Sequence, residues 1–282
     1  MEIDLTKSPH LKVADFVPDA QILYHYTSIE ALFGGIIVRQ PQTDKELCLW
    51  MSNCQYMNDP EELNTGIRFA SDILKMSPDI LEKHASEYQQ IKDNLYITSF
   101  SAASDCLPMW AMYGKNGNGI ALGFNKEIIE GTVPNLYKCV YVTESNKARL
   151  QSEISALIED ADPKDIENLP DSAGKIFIQI FANIVNSLAF YIVSCFNSKN
   201  PAYIYEQEVR SVLLTEEPAK YRINNNLIIP YIEQYFPKSA LKEIWIGPTN
   251  DMNRATYSLR KYLDHMGFSE VEIKQSQVPY RI

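Results

Sequence analysis

Residues 176–196 run 21 positions without a formally charged side chain, which is the length that crosses a bilayer as one helix. No other stretch divides the available folds so sharply, because a spanning helix and a buried core helix lead to different proteins. The polar residues inside the run decide between them. Gln179, Asn183, Asn186, Ser187 and Ser194 recur at spacings of three, four and seven, drawing one polar stripe along a helix. Lipid gives such a stripe no partners, so the run reads as a long amphipathic helix of a globular core. The start of the chain carries no apolar signal segment. The expectation is a soluble, cytoplasmic protein with no membrane partner.

The totals agree with a globular chain. Of 282 residues, 45% are hydrophobic and 22% charged, and a chain this long buries enough surface to fold without staples. Cys48, Cys54, Cys106, Cys139 and Cys195 are scattered, odd in number and without a CxxC pair, as expected of reduced thiols. His10, His25, His84 and His265 lack the i,i+4 spacing of a helical zinc site, so no metal is expected. The net charge of −10, with no Lys/Arg run beyond two, speaks against a general DNA-binding surface.

Strand and helix signals are mixed without regular alternation. Residues 21–26 read as a strand, followed by a capping box with Thr27 as N-cap and Glu30 three residues on, and a helix over about 28–38. A strand is predicted near 47–52. Asp59, Pro60 and Glu62 spell a second helix start, running to about residue 76, with a further helix over 79–92. Strands follow at 95–101, 120–124 and 137–143, with a helical turn at 108–113 and a glycine-rich turn at 114–119. Helices at 145–159 and 171–195 precede a long strand over 203–214 and a short one at 228–230. Residues 243–274 close the chain as a βαβ-like unit. This order predicts a single α+β domain with a mixed or split, largely antiparallel sheet flanked by helices.

Few residues stand out chemically. His25 ends the first strand, two residues before a helix N-cap, where amides and dipole favour polar or anionic groups; a core histidine bonded to a carbonyl fits equally. Asp59 and Glu62 look metal-like, but the cap accounts for them and leaves Tyr56 and Asn58 over. Ser99 and Ser101 share one face at a strand end. In 203–214, alternation puts Glu206, Glu208 and Arg210 on a face continued by Val212 and Leu214. Charge on a partly apolar face needs either a ligand or a structural ion pair.

Several of these residues fall in longer motifs. LYHYTS at 23–28, MSNxxYMNDPEE at 51–62, ITSFS at 97–101, MWAMYG and GIALGF within 109–124, YEQEVR at 205–210 and EIWIGPT at 243–249 resemble a bacterial family catalogued as domain of unknown function 2971. The likeness covers about residues 22–280. Where that family favours tryptophan before the arginine of YEQEVR, this chain has Val209. A looser resemblance is to the ADP-ribosyltransferase superfamily, with a His or Arg on its first strand, a hydroxyl residue in the middle and a late Glu-x-Glu. That resemblance implies an NAD-consuming transferase or hydrolase, in phage defence or as a toxin, with NAD as substrate and a nucleic acid or protein as acceptor. It implies that His25 holds the nicotinamide-side ribose, Glu208 stabilises the ribosyl cation and Glu206 helps deprotonate the acceptor. Tyr26, Thr27, Tyr56, Asn58, Ser99, Ser101, Trp110 and Arg210 complete the implied nucleotide site. The alternatives are a metal-dependent nuclease or phosphodiesterase using Asp59, Glu62 and Glu208, and a non-enzymatic ligand-sensing or partner-binding module.

Overall fold

The structure, a computed structural model, describes residues 18–61, 63–73, 85–133, 135–159, 197–224 and 226–280. In these residues, runs of branched and aromatic side chains form twelve strands. They are β1 Ile22–Thr27, β2 Leu47–Asn53, β3 Leu95–Ser101, β4 Ile120–Asn125, β5 Leu136–Lys138 and β6 Val140–Tyr141. After these come β7 Ser198–Lys199, β8 Glu208–Leu214, β9 Lys220–Asn224, β10 Leu227–Phe236, β11 Leu241–Ile246 and β12 Glu272–Gln275. Ten belong to one sheet in the order β12-β11-β4-β1-β3-β2-β10-β9, with β8 on β3 and β5 on β8. Its pairings are antiparallel except β11 with β12, which the helix Met252–His265 connects as a βαβ unit. With helices such as Asn64–Ile73, Leu107–Met112 and Glu144–Glu159, the fold is α+β.

The sheet divides at β3. Along one edge β3 pairs with β8 for its whole length, from Leu95↔Leu214 to Ser101↔Glu208. Its other edge is shared, because β2 takes the start at Ser52↔Ile97 and β1 takes the end at Tyr24↔Ser101. Between those contacts Thr98, Ser99 and Phe100 have no strand beside them. On their far edges β1 pairs along its whole length with β4, and β2 pairs with β10 from Leu47 to Ser52, so each follows the twist of its own half and the two part beside β3.

Alternation assigns the two faces. On one, Leu23, Leu49, Phe100, Leu122, Val209, Phe236 and Ile244 belong to one continuous buried cluster, covered in part by Leu259 and Leu263 of the last helix. On the other, the described apolar residues separate into two groups. Leu95, Ile97 and Val212 pack with Cys54, Leu63 and Ile67. Tyr24, Tyr26 and Ala121 pack with Met109 and Trp110. Ser99, Ser101, Glu208 and Arg210 fall between the groups on that same face. The polar centre occupies the gap in the apolar packing.

Several expectations need correction. Thr27 stays in β1 opposite Ile120, so Ser28 caps the following helix by accepting from the Ala31 amide. That helix is short, Ile29–Ala31, and passes into a π turn over Leu32–Ile36. The helix expected from Pro60 begins at Asn64, since Leu63 takes a left-handed φ of 71°. Residues 137–143 divide between β5 and β6, which belong to different sheets. The strand expected over 203–214 is half a strand: Pro201–Glu206 is a 3₁₀ turn capped by the Asn200 side chain, Gln207 is left-handed at φ 43°, and β8 starts at Glu208. β9 was unforeseen, and β10 has ten residues where three were expected. The long amphipathic helix read at 171–195 lies outside the described residues. Among the described residues no helix is long and apolar enough to cross a membrane.

Candidate functional site

Two positions apart on β8, Glu208 and Arg210 point to the same face and pair directly. Arg210 Nε donates to Glu208 Oε1 at 2.9 Å and a terminal nitrogen donates to Oε2 at 3.0 Å. This is the bidentate fork for which arginine is suited. Glu206 arrives differently. The left-handed Gln207 turns the chain, so alternation does not place Glu206, and Lys199 of β7 joins the two acids instead. Lys199 Nζ donates to Glu208 Oε2 at 2.6 Å and to Glu206 Oε2 at 2.5 Å. Tyr113 Oη donates to Glu206 Oε1 at 2.7 Å, and the Glu208 amide donates to Tyr141 Oη at 2.9 Å.

All four charged residues are at most 4% exposed, so the pairing must compensate for lost hydration. Burial raises the Glu208 carboxyl, but Arg210 and Lys199 outweigh it and hold the group at about 2. Burial also pushes the phenols of Tyr113 and Tyr141 well above their usual range, and the nearby Glu206 adds to it for Tyr113. Both tyrosines therefore stay protonated. The two carboxylates and two cations cancel formally, leaving a rigid polar floor.

Above that floor a cavity of about 430 Å³ opens at the notch beside β3. That volume is in the range of small-molecule sites. His25, Tyr26 and Thr27 of β1, Tyr56 and Asn58 after β2, Ser99 of β3, and Glu206 and Glu208 all line it. Three residues expected there do not line it. Ser101 Oγ donates to the Glu206 carbonyl at 2.6 Å and accepts from the Ala103 amide at 3.0 Å. Trp110 donates to Asp105 at 2.7 Å and meets Tyr26 edge-on. Arg210, fully buried, is spent on Glu208. These three support the residues that face the cavity.

His25 reaches the cavity through the notch. Its Cβ lies on the face of Leu23 and Leu122, and it is Tyr24 that shares the face of Ser101 and Glu208. His25 Nδ1 bonds the Ser99 carbonyl at 3.1 Å, on the stretch of β3 that no strand covers. A carbonyl only accepts, so Nδ1 carries the proton and Nε2 of the neutral ring is an acceptor. Burial lowers the His25 pKa, the Ser99 bond opposes this and the charge of Arg222 adds to it, so the ring is neutral at physiological pH. Among the described residues Ser99 Oγ, which is buried, has no hydrogen-bond partner.

Two further residues were not foreseen. Lys199 lies only seven and nine positions before the glutamates it bridges, yet only the 3₁₀ turn folds it back onto them. Arg222 lines the cavity from β9. The alternation Lys220-Tyr221-Arg222-Ile223 before three asparagines is a hairpin signal that could have found it. Asp59 takes no part in the cavity lining. Its Oδ1 accepts from the Glu61 amide at 2.9 Å, capping a turn rather than a helix. Glu62 lies outside the described residues. Among the described residues no three of His, Cys, Asp and Glu come together as a metal-binding group.

Residues 109–211 match the model of a family described as a protein of unknown function, DUF2971. The match spans less than half of the 282 residues and takes in Tyr113, Lys199, Glu206, Glu208 and Arg210, but not His25, Ser99 or Arg222. No curated protein and no solved structure matches the chain.

Proposed function

We propose that the cavity binds a dinucleotide of the NAD type and that the protein cleaves its nicotinamide–ribose bond, passing the ADP-ribosyl group to an acceptor or to water. The observation that carries this reading is that His25, Ser99, Glu206 and Glu208 all line one cavity. In the proposed reaction the C–N glycosidic bond breaks and nicotinamide leaves with the electron pair. Positive charge develops on the ribose, the acceptor oxygen or nitrogen bonds to its anomeric carbon, and the acceptor proton passes to Glu206. Glu208 is ionised throughout the physiological range and fixed by Arg210, so it needs no reorganisation to face that charge. His25 Nε2 is an acceptor for a ribose hydroxyl.

The test is nicotinamide release by the purified protein, with protein or nucleic acid offered as acceptor. Glu208→Gln keeps size and burial while removing the charge. Its release should fall about a hundredfold or more, on the scale of a lost preorganised electrostatic stabiliser. One observation favours a second reading. Lys199 and Arg210 already compensate Glu208, as they would in a structural ion-pair network, and such a site would bind a nucleotide without cleaving it. Binding by calorimetry with no release selects that reading. Neither binding nor release under any condition removes both.

A further inference from the structure

The cavity holds a cation that the glutamate network does not use. Register places Arg222 on the face of Glu208: it pairs with Ile229 on β10, where Tyr231 pairs with Ser52 of β2, and Ser52 with Ile97 of β3. From β9 its side chain reaches across β10, and a terminal nitrogen donates to Ser52 Oγ at 2.9 Å. The guanidinium carbon sits 5.7 Å from the centre of the Trp50 ring. Among the described residues no carboxylate pairs with it, and its Nε is buried without an acceptor. A guanidinium left this way in a partly desolvated site lacks the anion that burial of a charge demands. Burial holds its pKa below the usual value, the direction expected without a carboxylate partner. Ser99 Oγ, also cavity-lining, is likewise buried without a hydrogen-bond partner among the described residues.

We propose that Arg222, with Ser99 Oγ, is the phosphate subsite of this cavity, and that it takes the phosphates of a nucleotide whose ribose lies toward Glu208. The placement fits that assignment. The guanidinium is anchored over β2 at Ser52, two strands from β8 and level with Ile97, whereas Glu208 is level with Ser101, so phosphates at Arg222 and a ribose at Glu208 occupy different parts of the same cavity. Trp50, 42% exposed, meets Tyr231 at a tilt with ring centres 4.6 Å apart and borders the cavity beside the guanidinium. The subsite deepens the nucleotide reading above and rests on it for the identity of the ligand.

Calorimetry with inorganic pyrophosphate and ADP-ribose, at low and high salt, tests the subsite. Wild type should bind both, more weakly as salt rises. Arg222→Gln should weaken both at least tenfold and flatten the salt dependence, with an unchanged melting temperature. Arg222→Lys, which keeps the charge but loses the fork, should fall between the two. A folded Arg222→Gln that binds ADP-ribose as wild type does overturns the assignment, as does wild type that binds neither compound. The two proposals fail separately. Arg222-dependent binding of pyrophosphate without any of ADP-ribose or NAD keeps the anion site and removes the NAD reading. NAD cleavage with an unchanged KM in Arg222→Gln does the reverse.

Discussion

Replacing Lys199 with methionine removes the one residue, among those described, that joins Glu206 to Glu208. The methionine fills nearly the same volume, so the consequence is electrostatic. Glu208 keeps both bonds from Arg210, whereas Glu206 keeps only the Tyr113 hydroxyl bond among its described side-chain partners, with its carboxylate 3% exposed. Removing one member of a buried ion pair costs about 3–5 kcal/mol, because the remaining charge is neither hydrated nor paired. At about 2–4 °C per kcal/mol, the melting temperature should fall by about 6–20 °C near neutral pH. Thermal melts followed by tryptophan fluorescence read the effect. A double variant with Glu206→Gln, which removes the stranded charge, should recover most of the loss. If Lys199→Met melts within a degree or two of wild type at neutral pH, the network is not the buried floor described here.

Other outcomes follow from the same structure. Wild-type stability should lose the Glu208 contribution only as pH falls below the ordinary carboxylate value of 4.5 toward about 2, since its folded pKa lies below its unfolded one; urea titrations across that window read it. The His25 ring should titrate below 6.5 and show the Nδ1–H tautomer by nitrogen NMR, and an imidazole charged at neutral pH contradicts the site electrostatics. Asp59→Ala should cost about 0.5–2 kcal/mol through the lost bond to the Glu61 amide, without altering ligand binding. Gly119→Ala should destabilise by about 1–3 kcal/mol or more, because a methyl there would meet the Thr27 carbonyl at 2.3 Å, backbone that has no way to yield.

Period-two runs of branched and aromatic residues made β1, β2, β3 and β4 legible in the sequence, since a strand half buried in a core must alternate. The same alternation put Glu208, Arg210 and Val212 on one face, and the structure keeps them there. It failed at Glu206, where a proline and an asparagine cap begin a 3₁₀ turn and one left-handed residue ends it. A period-two reading has no means to see such a turn inside a run that is apolar on both sides. What tertiary structure decided was the notch. Strand identity does not say that β1 would spend itself on β4 and β2 on β10, leaving three residues of β3 uncovered. That parting of the two halves, set by twist and long-range pairing, brings His25 through the sheet to the Ser99 carbonyl. It also folds Lys199 under the glutamates and swings Arg222 over from an edge strand. Residue types that a chain can carry are local; the faces they share depend on which strands win their neighbours, and only the folded sheet settles that.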